Sequence, residues 1–296
     1  MKDLKLTNTG KIFWPVERYT KGDVINYYQK VSDTILPHLK DRPQSLYRQP
    51  NGIKGGFFQK NIKSNIPSFV KTVLIPSSHL GKEINFMLCQ NLKTLLYMAN
   101  LGCIELNPWM SRIKKLEFPD FFVIDLDPGE NISFECVVEA ALGAHKTLDE
   151  IGANNFIKTS GKRGLHIFVP LGAKYDYEQV RHFSQLIALL IHNRKPKFTS
   201  LERNPQKRKN KIYLDYLQNR IGQTITAPYS IRPISGAPVS TPLFWHEVKK
   251  DLRIFDYNIN TIFKRLDDYG DIWKNYLQKP IKMESCLSRI NKIYNI

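Results

Sequence analysis

Between Thr20 and Leu36, the residues Val24, Tyr27, Tyr28, Val31 and Ile35 recur at the three- and four-residue spacing of one helix face. Thr20 followed by Asp23 has the form of a capping box with Asp in place of Glu, so a single helix is predicted over 20–36. A Gly/Pro/Asn-rich stretch from Pro50 to Gly56 follows, which puts Phe57 and Phe58 in a loop. A second helix is predicted from Gln90 to Leu101. After Asp120 the pattern becomes regular. Phe121 to Asp127 is a short apolar run ended by Pro128 and Gly129, a strand signal. Ser133 opens a helix with Phe134, Val137, Val138, Ala141 and Leu142 on one face, stopped by Gly152. Phe156 to Lys158 and Leu165 to Val169 read as strands joined by the Gly161–Gly164 turn. Asp176 caps a helix carrying Val180, Phe183, Ile187 and Leu190, and Lys211 to Leu217 reads as the last strand.

The order strand, helix, strand, strand, helix, strand is that of the split βαβ, ferredoxin-like motif. Its usual spatial order, 4-1-3-2, makes the first and fourth strands neighbours and sets the third on the other side of the first. Side chains alternate faces along a strand. Asp125 and Asp127 therefore share a face, Asp215 sits beside them on the fourth strand, and His166 points away from Leu165 and Ile167 toward the same face. Such an oxygen-rich group suits hard divalent ions such as Mg²⁺ or Mn²⁺. Two of these about 3.5–4 Å apart can activate an attacking oxygen and stabilise a leaving one in phosphoryl transfer. The same residues also fit a plain turn at Asp127-Pro128 and a surface acid at Asp215, and the pattern leaves both open.

The 296 residues carry 44 Lys+Arg against 27 Asp+Glu, a formal net charge of +17. This excess points to a polyanionic partner, most often nucleic acid, and does not separate an enzyme from a binder. With 42% hydrophobic residues the chain can build a core, which excludes global disorder. No apolar run approaches the ~20 residues of a membrane span, and the charged N-terminus has no apolar stretch behind it. A soluble, cytoplasmic, nucleoid-associated protein with no membrane partner is expected. Four cysteines stand singly, which argues against zinc and disulfides and for small buried hydrophobes.

Thr159-Ser160-Gly161-Lys162-Arg163-Gly164-Leu165-His166 combines glycines, which admit an anion to the backbone, with hydroxyl, guanidinium and imidazole groups. It fits a triphosphate or an ordinary glycine hairpin. Arg232 is a further candidate phosphate clamp. Asn8, Lys11 and Lys21 lie near a helix start, where a phosphate is favoured. Phe57 and Phe58 can stack bases or join a core. Lys207, Arg208, Lys209 and Lys211 can grip a nucleic-acid backbone or remain a solvated loop.

Together these motifs resemble the polymerase domain of DNA ligase D, in the archaeo-eukaryotic primase superfamily. The resemblance runs from about Leu4 to Val248 and rests on Leu6-Thr-Asn8, Lys11, Tyr19-Thr-Lys21 and Phe57-Phe58-Gln59-Lys60. It continues through Phe122-Val-Ile-Asp125-Leu-Asp127-Pro128, Ser160 to Pro170, Asp215-Tyr-Leu-Gln218 and Ala227-Pro-Tyr-Ser-Ile-Arg232. It implies an α+β, archaeo-eukaryotic primase-like fold: a ferredoxin/RRM-like βαββαβ catalytic core over 116–250, an N-terminal α/β subdomain over 1–115 packed against it and making DNA-end contacts, and a helical segment over 251–296, all within one primase-polymerase domain. The implied activity is template-dependent nucleotidyl transfer in non-homologous end joining, filling gaps and extending 3′ ends, with a preference for ribonucleotides.

The resemblance further implies two Mn²⁺ or Mg²⁺ ions on the catalytic acids Asp125, Asp127 and Asp215. Ser160, Arg163, His166, Gln218 and Arg232 would hold the nucleotide, Asn8, Lys11 and Lys21 a recessed 5′-phosphate, and Phe57 and Phe58 the template. Implied partners are gapped or overhanging DNA ends with a 5′-phosphate, NTP or dNTP, Ku and a DNA ligase. Two positions depart from the family pattern: Asn107, in Glu105-Leu-Asn107-Pro-Trp109, stands where relatives carry His, and Tyr47 replaces a basic residue ahead of Arg48. The rival readings are a de novo primase on the same fold, a non-catalytic DNA-end-bridging module and, more weakly, a two-metal nuclease.

Overall fold

The computed structural model describes residues 4–62, 66–77, 81–208 and 210–295; Met1 to Asp3 and Lys209 of the basic run lie outside them. The fold is α+β, and the chain divides into two compact units. The first comprises Met1–Lys114, Thr224–Thr241 and Phe255–Asp271; the second comprises Lys115–Gln223, Pro242–Ile254 and Ile272–Ile296.

In the first unit, α1 (Lys21–Lys30) starts at Thr20, and the Thr20/Asp23 capping box forms with both hydrogen bonds. The expected single helix is interrupted: α1 ends at Val31 and α2 (Ser32–Leu39) begins at once. Ser32 and Asp33 favour a helix start over a helix interior, because their short polar side chains compete for backbone groups. A third helix, α3 (Leu92–Asn100), is capped by Asn91, whose side chain accepts from Thr94 N. Two three-stranded sheets complete this unit. One orders β1 (Pro43–Gln44), β5 (Lys82–Leu88) and β4 (Lys71–Ser77); the other orders β3 (Phe57–Gln59), β2 (Leu46–Arg48) and β6 (Cys103–Glu105). Phe57 and Phe58 therefore lie on a strand and not in the expected loop, because β2 pairs with them antiparallel. The later segment Thr224–Thr241 is drawn in by buried polar bonds: Tyr27 Oη donates to Tyr229 O (2.7 Å), and Ser230 Oγ accepts from Leu106 N (2.9 Å).

The second unit is built on one sheet, with strands β7 (Phe121–Asp127), β8 (Phe156–Thr159), β9 (Leu165–Pro170), β10 (Thr199–Ser200), β11 (Ile212–Asp215) and β12 (Pro242–Leu243) in the spatial order β10-β11-β7-β9-β8-β12. The four strands foreseen from the pattern hold the expected 4-1-3-2 order. Helices α4 (Phe134–Glu150) and α5 (Tyr177–Arg194) turn apolar faces inward, with Val137, Ala141, Ala144 and Leu148 buried on one and Val180, Phe183, Ile187 and Ile191 on the other. They cover the even-numbered face of β7, where Phe122 meets Phe183 edge-on at 5.8 Å. The odd-numbered face is divided. At one end Phe121, Phe156 and Phe168 pack with Trp273 and Tyr276. The other end is polar and carries the acids.

Among the described residues no helix is long and apolar enough to cross a membrane. All four cysteines are free; Cys89, Cys103 and Cys286 are buried, while Cys136 is half-buried.

Candidate active site

The strand registers place Asp215 opposite Asp125, Asp125 opposite His166, and His166 opposite Lys158. Directly opposed residues in adjacent strands project from the same face, so these four side chains form one transverse row. Asp127 lies two residues further along the same face, opposite Tyr213. The four residues expected to share this face, Asp125, Asp127, Asp215 and His166, are thus brought together.

Each carboxylate is engaged by protein groups. His166 Nε2 lies 3.4 Å from Asp125 Oδ1, and Arg208 Nη1 lies 3.3 Å from Asp127 Oδ2. Arg208 also stacks on Tyr213, its guanidinium carbon 4.0 Å from the ring centre. Asp215 caps a short turn (Tyr216–Gln218) by accepting from Gln218 N at 3.2 Å. Burial pushes the Asp215 carboxyl up from the ordinary carboxylate range, against hydrogen bonds from the Tyr213 hydroxyl and the Leu217 and Gln218 amides. Tyr213 is itself pushed up to about 12, first by burial and then by the charge of Asp215. Among the described residues no three His, Cys, Asp or Glu side chains converge as a finished metal cage. The donor chemistry nevertheless fits a hard cation. The acids of this face, Asp125, Asp127 and the half-buried Asp215, offer carboxylate oxygens.

The glycine loop is shaped by Ser160. Its hydroxyl accepts from the Lys162 and Gly164 amides, both at 3.1 Å, which leaves its own hydrogen to donate. Gly161 has φ 74°, and a Cβ on Gly164 would lie 2.2 Å from Leu126 O, so the loop can rest on β7 only with glycine there. Arg163 is exposed and Gln218 half-buried.

Arg232 belongs to the first unit, where it is buried and held by Glu105 (Nε to Oε2 3.3 Å) and by Thr226 Oγ1. In that unit too, Lys21 is nearly buried and its Nζ donates to Thr7 O at 2.6 Å, while Lys11 Nζ donates to Asn51 Oδ1 at 2.6 Å. Burial first, then the charges of Lys11 and Arg48, hold Lys21 below the usual lysine range, as crowded cations without an anion would. Asn8 bends the chain here with φ 51°, and its carbonyl accepts from Lys11 N. Phe57 and Phe58 are 50% and 63% exposed, which a core role would not allow. Tyr47 packs against Phe58 at 4.7 Å, and Asn107 is buried with no partner for Nδ2 among the described residues.

Three residues were missed by sequence reasoning. Lys158 is fully buried, with its Nζ 2.9 Å from His166 Nδ1; a lone lysine inside Phe-Ile-Lys-Thr was its signal. Asn219 is also fully buried and bonds to both Val123 N and Val123 O at 2.8 Å, which ties the Asp215 turn to β7. Glu105, the counter-ion of Arg232, had no local signal.

Acids on two adjacent strands at one end of the sheet, beside a glycine loop on a ferredoxin-like core, are the arrangement expected of a primase-polymerase domain. The family model for the LigD primase-polymerase domain matches residues 20–273, and the chain belongs to that family. It is 35% identical over 284 residues to the bifunctional non-homologous end joining protein LigD of Bacillus subtilis, covering 94% of this chain and 45% of that protein. It is 31% identical over 290 residues to the multifunctional non-homologous end joining protein LigD of Pseudomonas aeruginosa, covering 97% of this chain and 34% of that one. The chain thus spans less than half the length of these relatives. Its fold matches the polymerase domain of Mycobacterium tuberculosis ligase D, solved in complex with DNA, with a TM-score of 0.86 at 24% identity, over 95% of this chain and 100% of that one.

Proposed function

We propose that this domain is a template-dependent polymerase that fills gaps and extends 3′ ends at DNA double-strand breaks in non-homologous end joining, with ribonucleotides preferred. The observation that carries the reading is the Asp215–Asp125–His166 row, with Asp127 beside it, at the open end of the sheet. Asp125, Asp127 and Asp215 would hold two Mn²⁺ or Mg²⁺ ions, which when bound neutralise phosphate charge and favour ionisation of the primer 3′-hydroxyl. Ser160 and His166 would donate to the triphosphate, Arg163 and Arg232 would neutralise it, and Gln218 would lie near the nucleotide. No protein nucleophile is required, so positioning and charge complementarity carry the catalysis. Asn8, Lys11 and Lys21 would receive the 5′-phosphate of the downstream strand, and Phe57 and Phe58 the template bases. DNA ends, NTP or dNTP, Ku and a ligase are the proposed partners.

The test is primer extension on a short gapped duplex with a 5′-phosphate, using manganese and ribonucleotides, for wild type and Asp127→Ala. Templated addition by wild type alone, with DNA binding equal in both, is the expected result. Addition without a primer would point to a primase, and tight binding with no addition by either protein would point to an end-bridging module.

A further inference from the structure

Lys158 stands where a sheet facing an aromatic cluster would ordinarily carry an apolar residue. Its neighbours Ile157 and Thr159 are buried on the opposite face, and Lys158 itself is fully buried. An ammonium group taken out of water is costly unless it finds partners. Its nearest partner is an imidazole: Nζ lies 2.9 Å from His166 Nδ1, with Thr159 O at 3.5 Å and the Phe168 ring centre 5.6 Å away. An ammonium has three hydrogens and no lone pair, so it can only donate. Nδ1 must therefore accept, and a neutral ring then carries its hydrogen on Nε2. That nitrogen faces the acids, 3.4 Å from Asp125 Oδ1.

We propose that Lys158 is a positioning residue that locks His166 in the Nε2–H tautomer, so that the ring always presents a hydrogen-bond donor at the acidic end of the sheet. In the opposite tautomer, Nε2 would turn a lone pair toward Asp125 and toward any phosphate oxygen, and both contacts would be repulsive. With the donor fixed, the same N–H can pass from a carboxylate oxygen to a triphosphate oxygen, because both are anionic acceptors. The use of that donor for a triphosphate rests on the nucleotidyl-transfer reading; the lock itself does not.

Two measurements on the full chain separate these parts. The first is long-range ¹H–¹⁵N correlation of the histidine rings at pH 8, with His166→Asn assigning the His166 signals among the seven histidines. Wild type should have Nδ1 bare and Nε2 protonated, and Lys158→Met, which keeps the chain length but cannot donate, should give a mixture of tautomers. The second is steady-state primer extension, where Lys158→Met should raise KM for the nucleotide about tenfold with kcat changed less than about threefold, the loss of one charge-assisted bond. Lys158→Arg, which also only donates, should keep the wild-type tautomer. A wild-type ring protonated on Nδ1 overturns the proposal, as does a Lys158→Met protein with unchanged tautomer, whatever its KM. If Lys158→Met does not fold, the wild-type and Lys158→Arg spectra decide: a hydrogen on Nδ1 in either overturns the lock. If wild type extends no primer while the tautomer shifts in Lys158→Met, the polymerase reading falls and the lock stands.

Discussion

Replacing Asn219 with Leu tests how the third acid is held in register. Main-chain groups on alternate residues of a strand point to the same side, so Val123 and Asp125 both present theirs toward β11. That strand ends at Asp215, opposite Asp125, and at Val123 the Asn219 amide takes the place of a strand residue with two 2.8 Å bonds. Leucine preserves the volume but leaves the Val123 N–H and C=O without these partners in a fully buried place. At about 1–3 kcal/mol for each of the two stranded groups, the loss spans about 2–6 kcal/mol and centres near 4 kcal/mol. For a unit of this size that corresponds to a fall of roughly 8–16 °C in melting temperature. Hydrogen exchange at the Val123 amide should accelerate in parallel. Well below the midpoint, Asn219→Leu should still bind DNA but extend primers on the order of tenfold to a hundredfold more slowly, because the Asp215 turn is no longer pinned to β7. A melting shift under about 2 °C would refute the reasoning, since other groups would then satisfy Val123.

Glu105→Ala should strand the Arg232 guanidinium and cost about 3 kcal/mol in urea denaturation, and adding Arg232→Met should recover much of it; additive losses would argue against the pair. Because Lys21 titrates below its usual 10.5, the folded protein holds that proton less tightly than the unfolded chain, so its contribution to stability rises as pH climbs through the lowered pKa. The melting temperature of wild type relative to Lys21→Met should therefore increase from pH 8 toward 10.5, and Lys21→Met should weaken binding mainly to 5′-phosphorylated ends; equal loss on hydroxyl ends would remove the phosphate assignment. Gly164→Ala would set a Cβ 2.2 Å from Leu126 O, so a loss of about 1–3 kcal/mol together with slowed extension is expected in melting and extension assays. Wild-type behaviour in both would mean that the loop can move aside.

Local order was open to reading along the chain. The β7 run Phe121–Asp127, the Asp176 cap and the Thr20/Asp23 box follow from alternation and short-range hydrogen bonding, which depend on neighbours in sequence alone. Alternation also put Asp125 and Asp127 on one face, and the topology of the split motif put Asp215 and His166 beside them. The break at Val31 was missed because one apolar stripe continues across it, and the Phe57–Gln59 strand was missed because β2 supplies its hydrogen bonds from elsewhere.

Tertiary structure alone decided the pairings that depend on register and on distant groups. Lys158 meets His166 because β8 and β9 align at one position; a slip of a single residue would turn the ammonium to the opposite face. Asn219 reaches Val123 across 96 residues, and Glu105 reaches Arg232 from β6. Thr224–Thr241 joins the first unit because Tyr27 and Leu106 hold its backbone and Ser230. Periodicity records which face a residue occupies within its own element. Which buried polar group meets which is settled only when separate elements pack and each donor must find an acceptor.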